Sequence, residues 1–184
     1  MKRIFLTLAA VGMALLGASF VFGLRIEDPR DVAEAALAAR RLHLLTALAG
    51  LLFAALVHAV VLTYFMGTGR WIEETSRAYQ LGEQWLAESR VLKHRTVPPM
   101  VLCLVLLILT AAFGAGADPA SAVRFGDWLG LGPGTIHFLL AATTVGVNLV
   151  VNLLEYAALD RNGQLVDEVV ARVLHIRRER GLPG

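Results

Sequence analysis

The sequence predicts an all-α integral membrane protein whose four transmembrane helices form a bundle. Of its 184 residues, 57% are hydrophobic and only 17% are charged, whereas soluble domains are about 45–50% apolar and about 25% charged. Four apolar runs, at 4–24, 42–66, 97–116 and 135–159, have the length of about 20 residues that a helix needs to cross a bilayer. Residues 1–159 are therefore expected to form one transmembrane region.

The distribution of basic residues predicts the orientation of the chain. The first run follows Lys2 and Arg3 but exceeds the about 7–15 apolar residues of a signal-peptide core, so we expect it to remain as a span. With the N-terminus in the cytoplasm, 12 of the 17 lysines and arginines lie on the cytoplasmic side. We therefore expect a multi-pass protein of the plasma (inner) membrane with both termini cytoplasmic.

The segments outside the spans are also expected to be helical. Trp71, Tyr79 and Trp85 share roughly one face of an amphipathic cytoplasmic helix at about 70–92, which suits the headgroup layer or a protein surface. The tail 160–184 predicts a second cytoplasmic helix, and we expect the two to pack together. Asp28 and Pro29 predict that the helix of the second span begins there, and prolines 98 and 99 are placed where the third would begin.

Two histidines occupy matching depths in the second and fourth spans. At about 1.5 Å per residue, His43 lies about 16 Å outward from the centre of its span and His137 about 15 Å outward from the centre of its own. Two axial histidines on facing helices are the usual way in which a helical bundle holds a b-type haem. The pair is therefore a candidate haem site near the outer surface. The alternative for His43 is a partly hydrated residue beside Arg40 and Arg41.

The fourth span carries a stripe of polar side chains in which Asn152, about 7 Å inward from the span centre, matches the depth of a third histidine, His58, about 6 Å inward. Asn148 and Asn152 lie on one helical face with Thr144 and Glu155, and such a stripe must face protein or water, because lipid cannot satisfy it. A hydrogen bond between His58 and Asn148 or Asn152 would satisfy both the histidine and the asparagine side chain. We expect this helix-to-helix contact rather than a second haem ligand.

Glu155 allows two interpretations. It is expected to be a carboxylate at the inner interface that pairs with Lys93 or Arg95. The alternative is a proton-relay or quinone-site group that acts with His58 and Asn152.

The sequence lacks the motifs of most other function classes. It has no P-loop, metalloprotease helix, nucleophile elbow or CxxC pair, so we expect no catalytic chemistry. Its basic residues form no aromatic-interleaved patch, which argues against nucleic acid as a partner. The first functional hypothesis is a small subunit that anchors or supports a larger membrane protein assembly. The second is a b-type haem electron-transfer protein, with haem between His43 and His137 and a quinone near His58, Asn152 and Glu155.

Overall fold

The computed structural model describes residues 1–182, and within them the regular structure is helical. The elements are α1 (Lys2–Leu24), α2 (Glu34–Tyr79), α3 (Gln84–Ala117) and α4 (Pro133–Glu179). The described part has no strand, only one isolated bridge between Trp128 and Leu131. All four helices are long and apolar enough to cross a membrane. The fold class expected from the sequence is confirmed to this extent.

The helices form an antiparallel bundle in which α2 and α4 meet across the centre. α1 packs along α2 and α3 packs along α4, while α1 also touches α4 and α2 also touches α3. One end of the bundle, here called the loop end, carries the segments 25–33 and 118–132. The opposite end, the termini end, carries the 80–83 turn and both chain ends.

Small residues allow α1 and α2 to approach closely. A Cβ atom added to Gly50 of α2 would lie 3.1 Å from the backbone nitrogen of Leu16 on α1. Ala54, one turn further along α2, is buried at the same contact, and Gly12 of α1 lies against it. These positions follow the spacing of small residues that brings membrane helices together.

The burial pattern suits a bundle surrounded by lipid. Phe5, Val57, Val61, Phe65 and Leu159 form a buried apolar cluster between α1, α2 and α4. Many other large apolar side chains of the spans point away from the protein, among them Leu52, Ile108 and Leu153. Such an exposed apolar surface is unfavourable in water and favourable against acyl chains.

Two helix starts differ from the sequence-based expectation. α2 begins at Glu34 rather than near Pro29, because the carboxylates of Asp28 and Asp31 accept hydrogen bonds from backbone N–H groups two residues later and hold turns instead. α3 begins at Gln84 and continues through prolines 98 and 99. The carbonyl groups that lose their helical donors belong to exposed residues, 94 and 95, so water can replace the missing bonds.

The predicted amphipathic helix at 70–92 is not a separate element. Its first part is the continuation of α2, which ends where Gln80 adopts a left-handed conformation with φ of 53°. Its second part belongs to α3, and the segment expected as a separate helix at 160–184 continues α4 as far as Glu179. Residues 183 and 184 of that segment lie outside the described residues. Because the rotation of α2 carries on from the span, Ile72 is buried there and Trp71 is exposed.

The helical extensions at the termini end do pack against one another. Leu165 and Val169 of α4 are fully buried there. Arg161 of α4 bonds Glu88 of α3 at 2.5 Å, and Glu168 on its own helix at 2.8 Å. Asn162 of α4 donates a hydrogen bond to the Thr68 hydroxyl of α2 at 2.9 Å.

Candidate functional site

His43 and His137 face each other near the loop end of the bundle. The centroids of the two imidazole rings are 6.3 Å apart, and the ring planes are inclined by 78°. The two histidines come from α2 and α4, the helices that meet across the centre. Because these two helices are in contact, the equal depth of His43 and His137 brings their rings close together.

Each of these imidazoles is oriented by a backbone carbonyl of a third or fourth helix. His43 Nδ1 lies 2.9 Å from the carbonyl oxygen of Ser19 on α1, and His137 Nδ1 lies 3.1 Å from that of Thr110 on α3. A carbonyl oxygen only accepts, so each Nδ1 carries the proton, and each Nε2 keeps a lone pair. Neither Nε2 makes a hydrogen bond within residues 1–182. This arrangement leaves both nitrogens available to coordinate a metal.

Two glycines create the space that the imidazole rings occupy. A Cβ atom on Gly23 of α1 would lie 3.0 Å from Cε1 of His43, and one on Gly114 of α3 would lie 2.9 Å from Cε1 of His137. Real Cβ atoms rarely approach so closely, so a larger residue would displace either ring. The sequence analysis missed both glycines, although each lies near the loop end of its span.

The distance between the rings fits two axial ligands of one metal ion. With a metal–nitrogen bond of about 2.0 Å, two imidazoles on opposite sides of one ion have centroids about 6 Å apart. Among residues 1–182 there is no group of three histidine, cysteine or carboxylate side chains that could hold a metal. Two protein ligands are too few for a bare ion, but they complete the coordination of an iron whose other four ligands come from a porphyrin.

His58, Asn148 and Glu155 form a second polar group deeper in the bundle, and all three side chains are at most 1% exposed. His58 Nδ1 is 2.7 Å from Glu155 Oε1, and His58 Nε2 is 3.0 Å from Asn148 Oδ1. The contact between His58 and Asn148 is one of the two that the sequence predicts. The other is absent, because Asn152 Oδ1 is buried without a hydrogen-bond partner.

The expected partner of Glu155 was wrong. The carboxylate is fully buried and pairs with His58 rather than with Lys93 or Arg95. Its helix turns it toward α2, because it shares the face of Asn148, seven residues earlier. Both nitrogens of the His58 ring are occupied by protein groups, so neither is free to bind a quinone carbonyl while this arrangement holds.

A pair of threonines connects the two polar groups. The hydroxyls of Thr110 on α3 and Thr144 on α4 are 2.6 Å apart. The carbonyl of Thr110 holds His137, and the carbonyl of Thr144 accepts a hydrogen bond from Asn148 Nδ2 at 2.8 Å. The candidate metal ligand and the buried ionisable pair thus belong to one polar network.

Comparisons with protein families, with curated proteins and with solved structures found no match to this chain. The functional argument therefore rests on the geometry of these two groups of side chains.

Proposed function

We propose that this chain is a membrane protein that binds one b-type haem between His43 and His137 and transfers electrons through it. The observation that carries the proposal is the placement of two imidazoles, 6.3 Å apart, on the two helices that meet at the bundle centre. Each ring has its Nδ1 bound by a carbonyl and its Nε2 free. The haem supplies a one-electron iron couple, and the chain supplies its axial ligands and an apolar surrounding.

The test is the absorption spectrum of the purified full-length protein, before and after reduction with dithionite. We expect the bands of a six-coordinate b-type haem at one haem per chain. The variants His43→Ala and His137→Ala should each lose the bands or convert them to those of a high-spin haem. The matched control is His94→Ala, which removes an exposed histidine that precedes the third span. A colourless wild-type protein purified from haem-sufficient cells, or unchanged spectra in both variants, would refute the proposal.

A second candidate function is support of a larger membrane assembly, and the helical extensions at the termini end favour it. They contain a groove of about 370 Å³ whose lining includes Trp85, Arg172 and Ile176. A small protein that only crossed the bilayer would not need ordered helices beyond it. Chemical crosslinking in native membranes through a cysteine introduced at Gln84, on the rim of the groove, tests this role. The same substitution at Val32, exposed at the loop end, is the control, and equal crosslinking at both positions would argue against a specific docking surface.

The two functions are compatible, because a haem subunit can also be part of an assembly. The quinone expected from the sequence stays a prediction for the region of His58, Asn152 and Glu155. It requires that His58 release one of its two present partners.

A further inference from the structure

Hydrogen bonds link the candidate haem ligand His137 to the buried carboxylate of Glu155 through four intervening residues, and at Thr110 and Thr144 the path passes between the backbone carbonyl and the side-chain hydroxyl of the same residue. Along α4 the two residues are 18 positions apart, or about 27 Å. The connection alternates between helices, and every link is between 2.6 and 3.1 Å. In order, its members are His137, Thr110, Thr144, Asn148, His58 and Glu155.

The hydrogen bonds of this network determine how many protons the buried side chains of His58 and Glu155 hold together. Asn148 donates through Nδ2 to the Thr144 carbonyl, so its Oδ1 is the acceptor that faces His58. His58 Nε2 is therefore a donor and carries a proton. The 2.7 Å contact between His58 Nδ1 and Glu155 Oε1 then contains one further proton, on either atom. In this state the pair has no net charge.

A second proton has a place to bind. The other carboxylate oxygen, Glu155 Oε2, is buried and has no hydrogen-bond partner, and Asn152 Oδ1 one turn away is in the same condition. Buried acceptors are almost always satisfied by protein or ordered water. Protonation of Oε2 would convert one of these acceptors into a donor. The pair would then carry one positive charge, which is costly in an apolar interior and becomes less costly when a negative charge is added elsewhere in the same low-dielectric interior.

Few other titratable groups face this pair. α3 contributes only the buried thiol of Cys103 beside the His58 ring, and α1 contributes the apolar side chains of the cluster that contains Phe5. Five residues beyond Glu155 on α4, Asp160 pairs with Lys2 of α1, and both side chains are partly exposed. On the helices that carry the pair, the neighbouring titratable groups are the tyrosines at 64 and 156.

From these observations we propose that the His58–Glu155 pair takes up one proton when the haem is reduced. The proposal rests on the haem function proposed above. A haem held by His43 and His137 would take one electron from a one-electron donor, and one proton from bulk water would bind Glu155 Oε2. The electron removes one positive charge at the loop end of the network, and the proton restores it at the other end. The net charge of the bundle interior is unchanged.

The proton enters from the termini end. Two more buried polar atoms without partners lie on that side of Glu155, namely Asn162 Oδ1 on α4 and Ser76 Oγ on α2. Asn162 Nδ2 is already held by the Thr68 hydroxyl, so its oxygen is free to bind water. The buried side chain of Leu159 lies between Asn162 and Glu155. Water at the unpartnered atoms would bring a proton to within two helical turns of the carboxylate.

The first test is the midpoint potential of the haem as a function of pH, measured by spectroelectrochemical titration of the full-length protein in lipid nanodiscs. In the wild type the potential should fall as the pH rises, and Glu155→Gln should remove most of this slope. The amide keeps an acceptor for His58 but cannot take up a proton. Glu155→Asp, which keeps a carboxylate, should retain the slope. Glu83→Gln, which changes an exposed carboxylate in the turn at the same end of the bundle, should behave as the wild type.

The second test reads the carboxylate directly and needs only the wild type if Glu155→Gln fails to fold. A reduced-minus-oxidised infrared difference spectrum should show the carbonyl band of a protonated carboxylic acid, which appears on reduction where the shared proton lies on His58 and changes frequency where it already lies on Glu155. The band should shift in deuterated water and be missing in Glu155→Gln. A haem-loaded protein with a pH-independent potential and no such band would overturn this proposal and leave the haem site intact. A protein without haem would overturn both.

Discussion

The contact between His58 and Glu155 makes a strong prediction about stability. The substitution His58→Leu leaves the fully buried carboxylate of Glu155 without a hydrogen-bond partner, because its Oε2 has none already. Breaking a buried ion pair from one side typically costs about 3–5 kcal/mol. An ordinary hydrogen bond between membrane helices is worth only about 0.6 kcal/mol. We expect His58→Leu to lower the free energy of unfolding by the larger amount.

The partner variants complete a double-mutant cycle. Glu155→Leu leaves His58 neutral and still bonded to Asn148, so it should cost about 1–3 kcal/mol for the one unpaired ring nitrogen. The double variant leaves only the Asn148 oxygen without a donor and should cost a similar amount. The double variant is thus expected to be more stable than His58→Leu alone, which is possible only if the two side chains interact directly.

The assay is reversible unfolding of the full-length protein in mixed micelles with an increasing fraction of SDS, followed by circular dichroism. Thr63→Ala, which removes an exposed hydroxyl of α2 bonded only to its own helix, is the control and should cost less than about 0.5 kcal/mol. If His58→Leu cost less than about 1 kcal/mol, or if the double variant were as unstable as the sum of the single variants, the reasoning about a buried coupled pair would be refuted.

Three further predictions follow from the loop end and from the helix extensions. Gly23→Ala and Gly114→Ala should each lower the haem content per chain, measured from the absorption spectrum, because the new methyl group would lie about 3 Å from an imidazole ring. The control is Gly17→Ala, which has open space at its Cβ and should leave the haem content unchanged. The inclination of 78° between the imidazole planes should give the oxidised protein a strongly anisotropic low-spin electron paramagnetic resonance signal, and a signal typical of parallel planes would contradict the ring geometry. Arg161→Ala should lower the free energy of unfolding by less than about 2 kcal/mol, because the ion pairs of Arg161 with Glu88 and Glu168 are partly exposed. For the same reason, added salt should reduce the difference in unfolding free energy between this variant and the wild type in the SDS assay.

The charge of Arg161 does not depend on pH in the range of these experiments. Hydrogen bonds to Glu88 and Glu168 raise the pKa of the guanidinium above a value that is already high. A folded-state pKa above the unfolded value means that its contribution is complete below the unfolded pKa and is lost only as the pH rises through the folded one. We therefore expect no titration of the Arg161 guanidinium between pH 5 and pH 9, a range about three units or more below the ordinary arginine pKa.

The position of a residue along the membrane normal could be predicted from the sequence. The direction in which a side chain points about its helix axis, and the backbone atoms that it contacts, could not. A fixed rise per residue was sufficient to match His43 with His137. The same reasoning placed Asn152 at the depth of His58, with Asn148 one turn above, and the structure bonds His58 to Asn148 while Asn152 Oδ1 has no partner. The partner of Glu155 was wrong, because an estimate of distance from the membrane centre says nothing about which neighbour a side chain turns toward. The carbonyls that orient the two imidazoles could not be predicted, since every residue type carries the same carbonyl group.

The continuity of α2 and α4 has a mechanical consequence. These helices contain 46 and 47 residues, which corresponds to about 70 Å each, more than twice the about 30 Å thickness of bilayer hydrocarbon. Neither contains an internal proline, so nothing in the sequence of either helix favours a kink between its two ends. A partner that tilts the projecting ends would change the separation of the two imidazoles at the far side. In the haem protein proposed above, binding of a partner at those ends would then change how strongly the two histidines hold the iron, and its potential with it.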